Sequence, residues 1–518
     1  MKFKKKELIL IFSILGLAGI FRFYHLKEFF YWSTDEELVA TFARRLFIEG
    51  KFFLSIPVGT LGLNLGPFFY YLTDLILLLG KFNPLVTAFF GSLVGILTTF
   101  LAYFLMGKIF SKRVGVLTAF LYGTSFFISL FDRRWWPLSL DQLWFFLGFL
   151  ALFKLVRRDD KYFSLLALVL VMALNCDPTI LVFWIAALLV FLIWRLPIFK
   201  KDFLLGWIII LIGISPVFLT EIRHGFSGLK FFYEGRLVGR AVEAVPLAMD
   251  LKLLLAGPAK LLYTPAGSLA EREFCYCYEF FVYNAGVVLG MMIVVLSFVL
   301  GIFLIFSKNK KKKEILGLKI LYVVFLAAFL GIILFVLTGH NFYQHYLLIV
   351  LPGFLVLWAI LLERIWERRK ELVVFLLFLF LVINLRTLFL AKTDYGYKQK
   401  MEAVEWVITN LEDDNFSLYT SDDGWVRGGG WTYLFFYKGR LPRFSYGDYY
   451  LNQLLGKKVE EKKTNKIVLI VEKRHWEKKK ELADEIGKHL IARGDFESFE
   501  VVIFDNKEGW VEKEGVVF

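Results

Sequence analysis

Cysteine is close to absent from this sequence. Cys176, Cys275 and Cys277 are the three in 518 residues, too few and odd in number for a disulfide framework, so they fix no redox compartment. Charge is sparse too: Asp, Glu, Lys and Arg make up 21% of the chain against 58% hydrophobic residues, and a mean hydropathy of +0.61 is far above that of an ordinary soluble domain. The composition implies a multi-pass α-helical membrane protein. The net charge of +14 does not read as nucleic-acid binding, because Lys and Arg gather in short clusters between apolar runs, as membrane topology requires. No small-residue cleavage site follows "MKFKKKELILIFSILGLAGIF"; Arg22, Tyr24 and His25 come next, so this segment reads as an uncleaved first anchor. There is no internal repeat, and no low-complexity tract beyond the Lys cluster at 310–313. Lack of a repeat, with acids at the rim of apolar segments instead of their middles, argues against a transporter or flippase.

What the chain has in quantity is long apolar runs. About eleven are long enough to cross, each roughly 17 to 25 residues with its flanks. They lie near 7–25, 84–107, 114–131, 140–156, 162–176, 178–194, 203–219, 282–306, 317–337, 346–362 and 372–390. The run "PFFYYLTDLILLLG" (67–80) is too short to cross and suits a re-entrant or interfacial helix. With it left uncrossed, "KFKKK", "KIFSKR", "RRDDK", "RLPIFKK", "KNKKKK" and "ERIWERRK" all share the N-terminal side, which becomes the cytoplasmic one. Loops 26–83 and 220–281, the turns "FDRRWWPLSLD", "NCDPT" and "GHNFYQH", and everything after 390 then face outward. Acidic and histidine-bearing turns are thus segregated from the basic clusters, as an outward-facing site requires.

From Lys392 the composition turns soluble. "YKQKMEAVEWVITNL" reads as an amphipathic helix, "NFSLYTS" and "NKIVLIVE" as strands, "WEKKKELADEIGKHLIARG" as a second helix and "FESFEVVIFD" as a closing strand. The expected organisation is a membrane part over 1–390 and a small extracytoplasmic α/β domain over 391–518. "RGGGW" (427–431) lacks the Lys and Ser/Thr of a phosphate loop and reads as turn chemistry.

The stretch "YWSTDEELVATFARRL" (31–46) places Asp35, Glu36 and Glu37 just past the first anchor. Local physics offers one account: Thr34 caps a helix, Glu37 closes a capping box, and the other two acids favour the positive end of the dipole. Carboxylates at a lipid rim are costly unless solvated or used, which offers the other. Arg133 and Arg134 in "FDRRWWPLSLD" run against the positive-inside trend for an outer turn; they either snorkel to headgroups or hold an anion. Trp135 and Trp136 read as an interfacial aromatic belt. Asp177 in "NCDPT" reads as an Asp-Pro helix cap. Glu221 and Arg223, two apart, have the spacing of a surface ion pair, and Arg236 and Arg240 could share a helix face and steer an anion. His340 and His345 lack an evident third metal ligand.

"FRFYHL", "STDEEL", "LGPFFYYL", "DRRWWPLSLDQLWFF", "SPVFLTEIRHGF" and "HYLLIVLPGF" occur in an order that resembles bacterial glycosyltransferase family 39, within the protein O-mannosyltransferase and aminoarabinose transferase superfamily. The resemblance runs over roughly 8–390 and implies the multi-pass GT-C fold. It further implies that Asp35, with Glu36 beside it, is the catalytic base. This base would activate an acceptor hydroxyl of a lipid, glycan or protein to attack the anomeric carbon of a polyprenyl-phosphate sugar. Phosphate is already a good leaving group, so one inverting displacement needs one carboxylate and nearby cations. Arg133 and Arg134 are the candidates for donor phosphate. Asp132 and Asp141 compete as the family's second acidic residue. Tyr70 and Tyr71 line the lipid path or anchor at the interface, and Glu221, Arg223, His340, His345 and Tyr346 supply polar contacts. Some members carry a Lys or His before the proline pair where this chain has Leu65 and Gly66, and relatives often show a His where it has Asp177. The residues identify no cofactor, and a divalent cation is compatible with the class. Membrane lipids and the lipid-linked donor are the expected partners, and nucleic acid is not. A non-catalytic envelope assembly protein is the remaining alternative.

Overall fold

The structure, a computed structural model, describes residues 5–57, 64–228, 230, 247–264, 285–307, 312–337, 344–393, 396–420, 429–446, 464–473 and 487–507. His340, Arg236, Arg240, Cys275 and Cys277 lie outside the described residues.

Apolar runs without internal breakers become helices because lipid leaves no water to satisfy an irregular backbone. The first is α1 (Lys5–Phe23). A short helix α2 (Thr34–Ala43) carries the acids, and α3 (Arg45–Glu49) follows it. Strands β1 (Ile56–Pro57) and β2 (Asn64–Leu65) pair antiparallel before α4 (Phe68–Leu79), the run expected not to cross. The helical bundle continues with α5 (Leu85–Ile109), α6 (Lys112–Thr124), α7 (Phe126–Asp132), α8 (Asp141–Val156), α9 (Phe163–Asn175), α10 (Val182–Ile193) and α11 (Leu204–Arg223). It is completed by α12 (Leu247–Leu262), α13 (Ala285–Phe306), α14 (Lys312–Leu337), α15 (Leu351–Trp366) and α16 (Lys370–Leu390).

Among the described residues six helical stretches are long and apolar enough to cross a membrane, or seven if α6 and α7, bent by 67° at Ser125, form one span. The chain is therefore a multi-pass helical membrane protein. Segments expected at 162–176 and 178–194 form helices α9 and α10 of only 13 and 12 residues, because each stops at the turn that holds Asp177. Leucines and phenylalanines on α11, α13 and α16 stand exposed, as lipid-facing surfaces do.

At the C-terminal side, α17 (Tyr397–Leu411), β3 (Phe416–Thr420), α18 (Trp431–Tyr437), β4 (Phe444–Tyr446), β5 (Lys466–Glu472), β6 (Leu490–Phe496) and β7 (Phe499–Asp505) build a five-stranded sheet of order β4-β3-β5-β7-β6. β3 runs parallel to β4 and β5, whereas β7 is antiparallel to β5 and β6. The helix expected to run through "GKHLIARG" is corrected: Leu490–Phe496 is strand β6, since pairing with β7 supplies its main-chain partners. The apolar core of this unit also takes in Phe30, Tyr31, Trp32, Ala40, Ala43, Leu77 and Ala88. The N-terminal loop and the sheet thus share one core.

Candidate active site around Asp35, Glu36 and Arg134

Ser33, not Thr34, is the N-cap of α2. Glu36 reaches back so that its Oε2 accepts from the Ser33 N–H at 3.0 Å and the Ser33 hydroxyl at 2.6 Å. This corrects the expected Thr34 cap with Glu37 closing the box. "STDEE" contains two overlapping boxes, and Glu37 is used elsewhere. The other oxygen of Glu36, Oε1, accepts from Arg134 Nε at 2.7 Å and lies 2.6 Å from its Nη2. A carboxylate 1% exposed with both oxygens so committed is a fixed counter-charge, and this is the geometry in which a buried guanidinium is tolerated.

Arg134 comes from the turn after α7. Its guanidinium lies 3.7 Å from the Trp136 ring centre and 4.4 Å from that of Tyr31. Burial alone would lower its pKa; Glu36, Tyr31 and Asp35 outweigh that and hold it above its ordinary value. Asp35 stands over the same guanidinium, 3.8 Å from Nη2, with 35% of its side-chain surface open. The two acids therefore differ in kind: Glu36 is enclosed and Asp35 is accessible.

Trp136 packs edge-on against His345 with ring centres 5.1 Å apart, and His345 meets Tyr346 at 4.6 Å. Burial and the Arg134 charge push the His345 imidazole down to about 3, so it is neutral at ordinary pH. The belt expected of Trp135 and Trp136 is corrected, since both indoles are buried. Trp135 stacks on Phe69 and donates to Thr73 Oγ1 at 2.8 Å.

Asp132 and Asp141 separate clearly. Asp132 is locked to Arg22 at 2.6 and 2.9 Å inside the bundle, and the Arg22 guanidinium also donates to the Ala18 and Gly123 carbonyls. Gly95 makes room for this pair: a Cβ there would lie 2.4 Å from Arg22 Nε and from Asp132 Oδ2. Asp141 accepts from the Thr179 hydroxyl at 2.7 Å, and Asp177 accepts from the Thr179 N–H at 2.8 Å, the cap that its Asp-Pro sequence implies. Burial is the main cause that raises the Asp177 carboxyl, and the Asp35 charge adds to it. Tyr70 is buried in the same field, its phenol raised by burial and then by Asp35 and Asp177. Tyr70 and Asp177 thus feel the Asp35 charge, Asp141 joins Asp177 through Thr179, and Asp132 is tied to Arg22 instead.

Arg133 is corrected as a partner of Arg134. Fully buried, it donates from Nε to the Arg22 carbonyl at 3.2 Å and from Nη2 to the Phe21 carbonyl, with its charge 4.7 Å from the Phe29 ring centre. It closes the C-terminal turn of α1, where cations complement the dipole. Tyr71 exchanges hydrogen bonds with the Phe53 main chain at 2.6 and 3.1 Å. Glu221 is buried and accepts from Asn64, whereas Arg223 is exposed. The expected Glu221–Arg223 surface pair is thereby replaced.

The missing cation before the proline has a steric cause. Gly66 donates to the Leu174 carbonyl at 2.6 Å, and a Cβ on it would fall 2.2 Å from Asn175 Oδ1, so a Lys or His there would have to displace the Asn175 side chain. One cation escaped the sequence reading altogether. Lys260 of α12, 1% exposed, donates to Gln344, the neighbour of His345, with Phe127 also against it. Its only sequence signal is a charge in an apolar helix. Among the described residues no three His, Cys, Asp or Glu side chains converge as a metal set.

Residues 64–219 match the family model described as dolichyl-phosphate-mannose-protein mannosyltransferase. The fold is similar to that of ArnT from Cupriavidus metallidurans in two crystal structures. For the apo state the TM-score is 0.57 at 12% identity, and for the form bound to undecaprenyl phosphate it is 0.55 at 11%; both cover 96% of this chain and 97% of ArnT. An uncharacterized protein of Aquifex aeolicus (strain VF5) is 28% identical over 131 residues, which span 25% of this chain and 26% of that relative's length. The Asp35–Arg134 arrangement is therefore set in a multi-pass helical fold similar to that of ArnT, and Arg134 lies within residues 64–219, the stretch that matches the dolichyl-phosphate-mannose-protein mannosyltransferase model.

Proposed function

We propose that this protein transfers a sugar from a polyprenyl-phosphate carrier to an acceptor hydroxyl on a lipid, glycan or protein, at the extracytoplasmic face of the cytoplasmic membrane. In this reading the N-terminus is cytoplasmic, about eleven segments cross, and the unit over 391–518 lies outside. One observation carries it: an accessible carboxylate, Asp35, stands 3.8 Å from a buried guanidinium whose position is fixed by a second carboxylate and two aromatic rings. Support for the donor class comes from ArnT, of similar fold, which was crystallised bound to undecaprenyl phosphate, and from the name of the matching family.

The chemistry is one displacement. Asp35 takes the proton of the acceptor hydroxyl as the new oxygen–C1 bond forms, and the C1–O bond to phosphate breaks on the opposite face with inversion. The departing lipid phosphate keeps the electron pair, and Arg134, pre-positioned and shielded from water, offsets its charge. Glu36 orients Arg134 without touching substrate. His345, held neutral, offers hydrogen bonds and no charge, with Tyr346 beside it. Tyr70 and Asp141 border the acceptor side, and Lys260 is a second cation for the anionic donor. Arg133, Glu221 and Arg223 are left to structural and surface roles.

The test uses protein purified in nanodiscs, with co-extracted lipids identified by mass spectrometry. Retention of a polyprenyl phosphate or its sugar ester by the wild type, and its loss in Arg134→Ala, is the expected result. A preparation that holds no such lipid and moves no label from polyprenyl-phosphate hexose to membrane acceptors overturns the reading.

A further inference from the structure

Glu37, the third acid of the α2 turn, lies outside the chemistry above. Its side chain is fully buried, and both oxygens accept main-chain hydrogen bonds from the C-terminal unit. Oε2 accepts from the Gly430 N–H at 2.7 Å and Oε1 from the Tyr433 N–H at 2.7 Å. Around this contact Trp32 Nε1 donates to the Gly430 carbonyl at 2.7 Å, Lys400 Nζ to the Gly429 carbonyl at 2.6 Å, and the Tyr397 N–H to the Phe30 carbonyl at 2.9 Å. The two glycines are required by the approach. Gly430 has φ +91°, and a Cβ on Gly429 would lie 2.0 Å from Thr34 Oγ1. Gly429 and Gly430, the described glycines of "RGGGW", form a bend shaped to seat α2.

We propose that the C-terminal unit is a working part of the catalytic centre, with Glu37 the positioning residue through which it holds the acidic turn of α2 over Arg134. This rests on the reading of Asp35 as base. A helix as short as α2, ten residues, is marginal alone and takes its place from tertiary contacts. Consecutive side chains on a helix diverge by about 100°. Glu36 therefore ties the turn to the membrane part through Arg134, while Glu37 ties it to the sheet unit on another side. Asp35, preceding both, is placed by the pair of ties. Loss of one leaves the turn free to shift, and a displacement of about 1 Å at a reacting group costs on the order of 100-fold in rate.

Glu37→Gln keeps the side-chain shape but turns an NH2 toward one of the two N–H donors. In full-length protein in nanodiscs, amide exchange over residues 33–43 is expected to accelerate about tenfold or more and kcat for hexose transfer from polyprenyl-phosphate hexose to fall by at least about tenfold, with the donor KM held within about twofold. Binding of decaprenyl phosphate alone should not change. Should Glu37→Gln fail to fold, Trp32→Phe removes the bond to the Gly430 carbonyl together with one buried ring, and is expected to lower kcat about threefold in the same pattern. Faster exchange with wild-type kcat, or a rise in donor KM without loss of kcat, overturns the proposal. Wild-type transfer by Asp35→Asn alongside a slow Glu37→Gln overturns the base assignment instead, and so separates the two failures.

Discussion

Arg134 and Glu36 meet with both Nε and Nη2 on a single carboxylate oxygen, at 2.7 and 2.6 Å, and both side chains are almost wholly buried. The cation is planar and lies against the rings of Tyr31 and Trp136, and lysine cannot reproduce a forked, ring-packed guanidinium. Arg134→Lys is expected to lose transfer by about 100-fold or more. Glu36→Gln should instead lower stability by about 3–5 kcal/mol by leaving a buried charge uncompensated. Thermal melting in detergent, read beside transfer, distinguishes the two outcomes.

Asp35→Asn should behave in the opposite sense. Its carboxylate is a third open to solvent and 3.8 Å from the guanidinium, so removing its charge costs little stability, within about 1 kcal/mol. General-base loss should nonetheless reduce kcat by about 10²- to 10⁴-fold. A melting curve close to wild type with near-abolished transfer is the expected pair of measurements. Because His345 is held down to about 3, His345→Gln should leave the pH dependence of kcat/KM unchanged in shape between pH 5 and 8.

Helical runs and the strand patterns at 416–420, 466–472 and 499–505 could be read in the sequence because periodicity is a local property. What could not be read is which of several equivalent residues faces the site. Ser33 with Glu36 and Thr34 with Glu37 are equally good boxes. The choice was made by Arg134 on one side and the Gly430 and Tyr433 N–H groups on the other. Arg133 and Arg134 are chemically alike, and only the fold sends one to the α1 carbonyls and the other to Glu36. Strand β6 was hidden by helix-forming residues upstream, with its identity supplied by β7. α18 gave no local signal and Lys260 only that of a charge in an apolar helix, since their meaning lies in Glu37 and Gln344 far along the chain.

Gly66 makes a prediction about the departure from the family pattern. A Cβ at 66 would collide with Asn175, whose Nδ2 also donates to the Val171 and Gly213 carbonyls at 3.1 and 2.9 Å. Gly66→Lys alone should therefore express poorly and melt lower, by an overpacking cost of about 1–3 kcal/mol. Pairing it with Asn175→Gly, which vacates the space, should recover part of that loss. A double-mutant cycle on melting temperature measures the coupling, and additive effects would refute the steric account.

Asp74 supplies a pH test away from the chemistry. It sits on α4, too short to cross a membrane, and is buried, with Oδ2 accepting from the Phe47 N–H at 3.1 Å and Oδ1 without a partner among the described residues. Burial pushes its carboxyl up to about 6, against the opposing pull of the Phe47 N–H. The sign follows from which state holds the proton. Between about pH 4 and 6 the folded protein keeps a proton that the unfolded chain has released, so stability falls as pH rises through that window and the penalty is complete above it. At about 1.4 kcal/mol per pH unit the penalty is about 3 kcal/mol. Asp74→Asn, uncharged and still able to accept from Phe47, should melt higher than wild type at pH 8 and no higher at pH 4. Thermal inactivation midpoints across pH 4 to 8 would show the two curves converging toward acid; parallel curves would mean that Asp74 is ionised in the folded protein throughout.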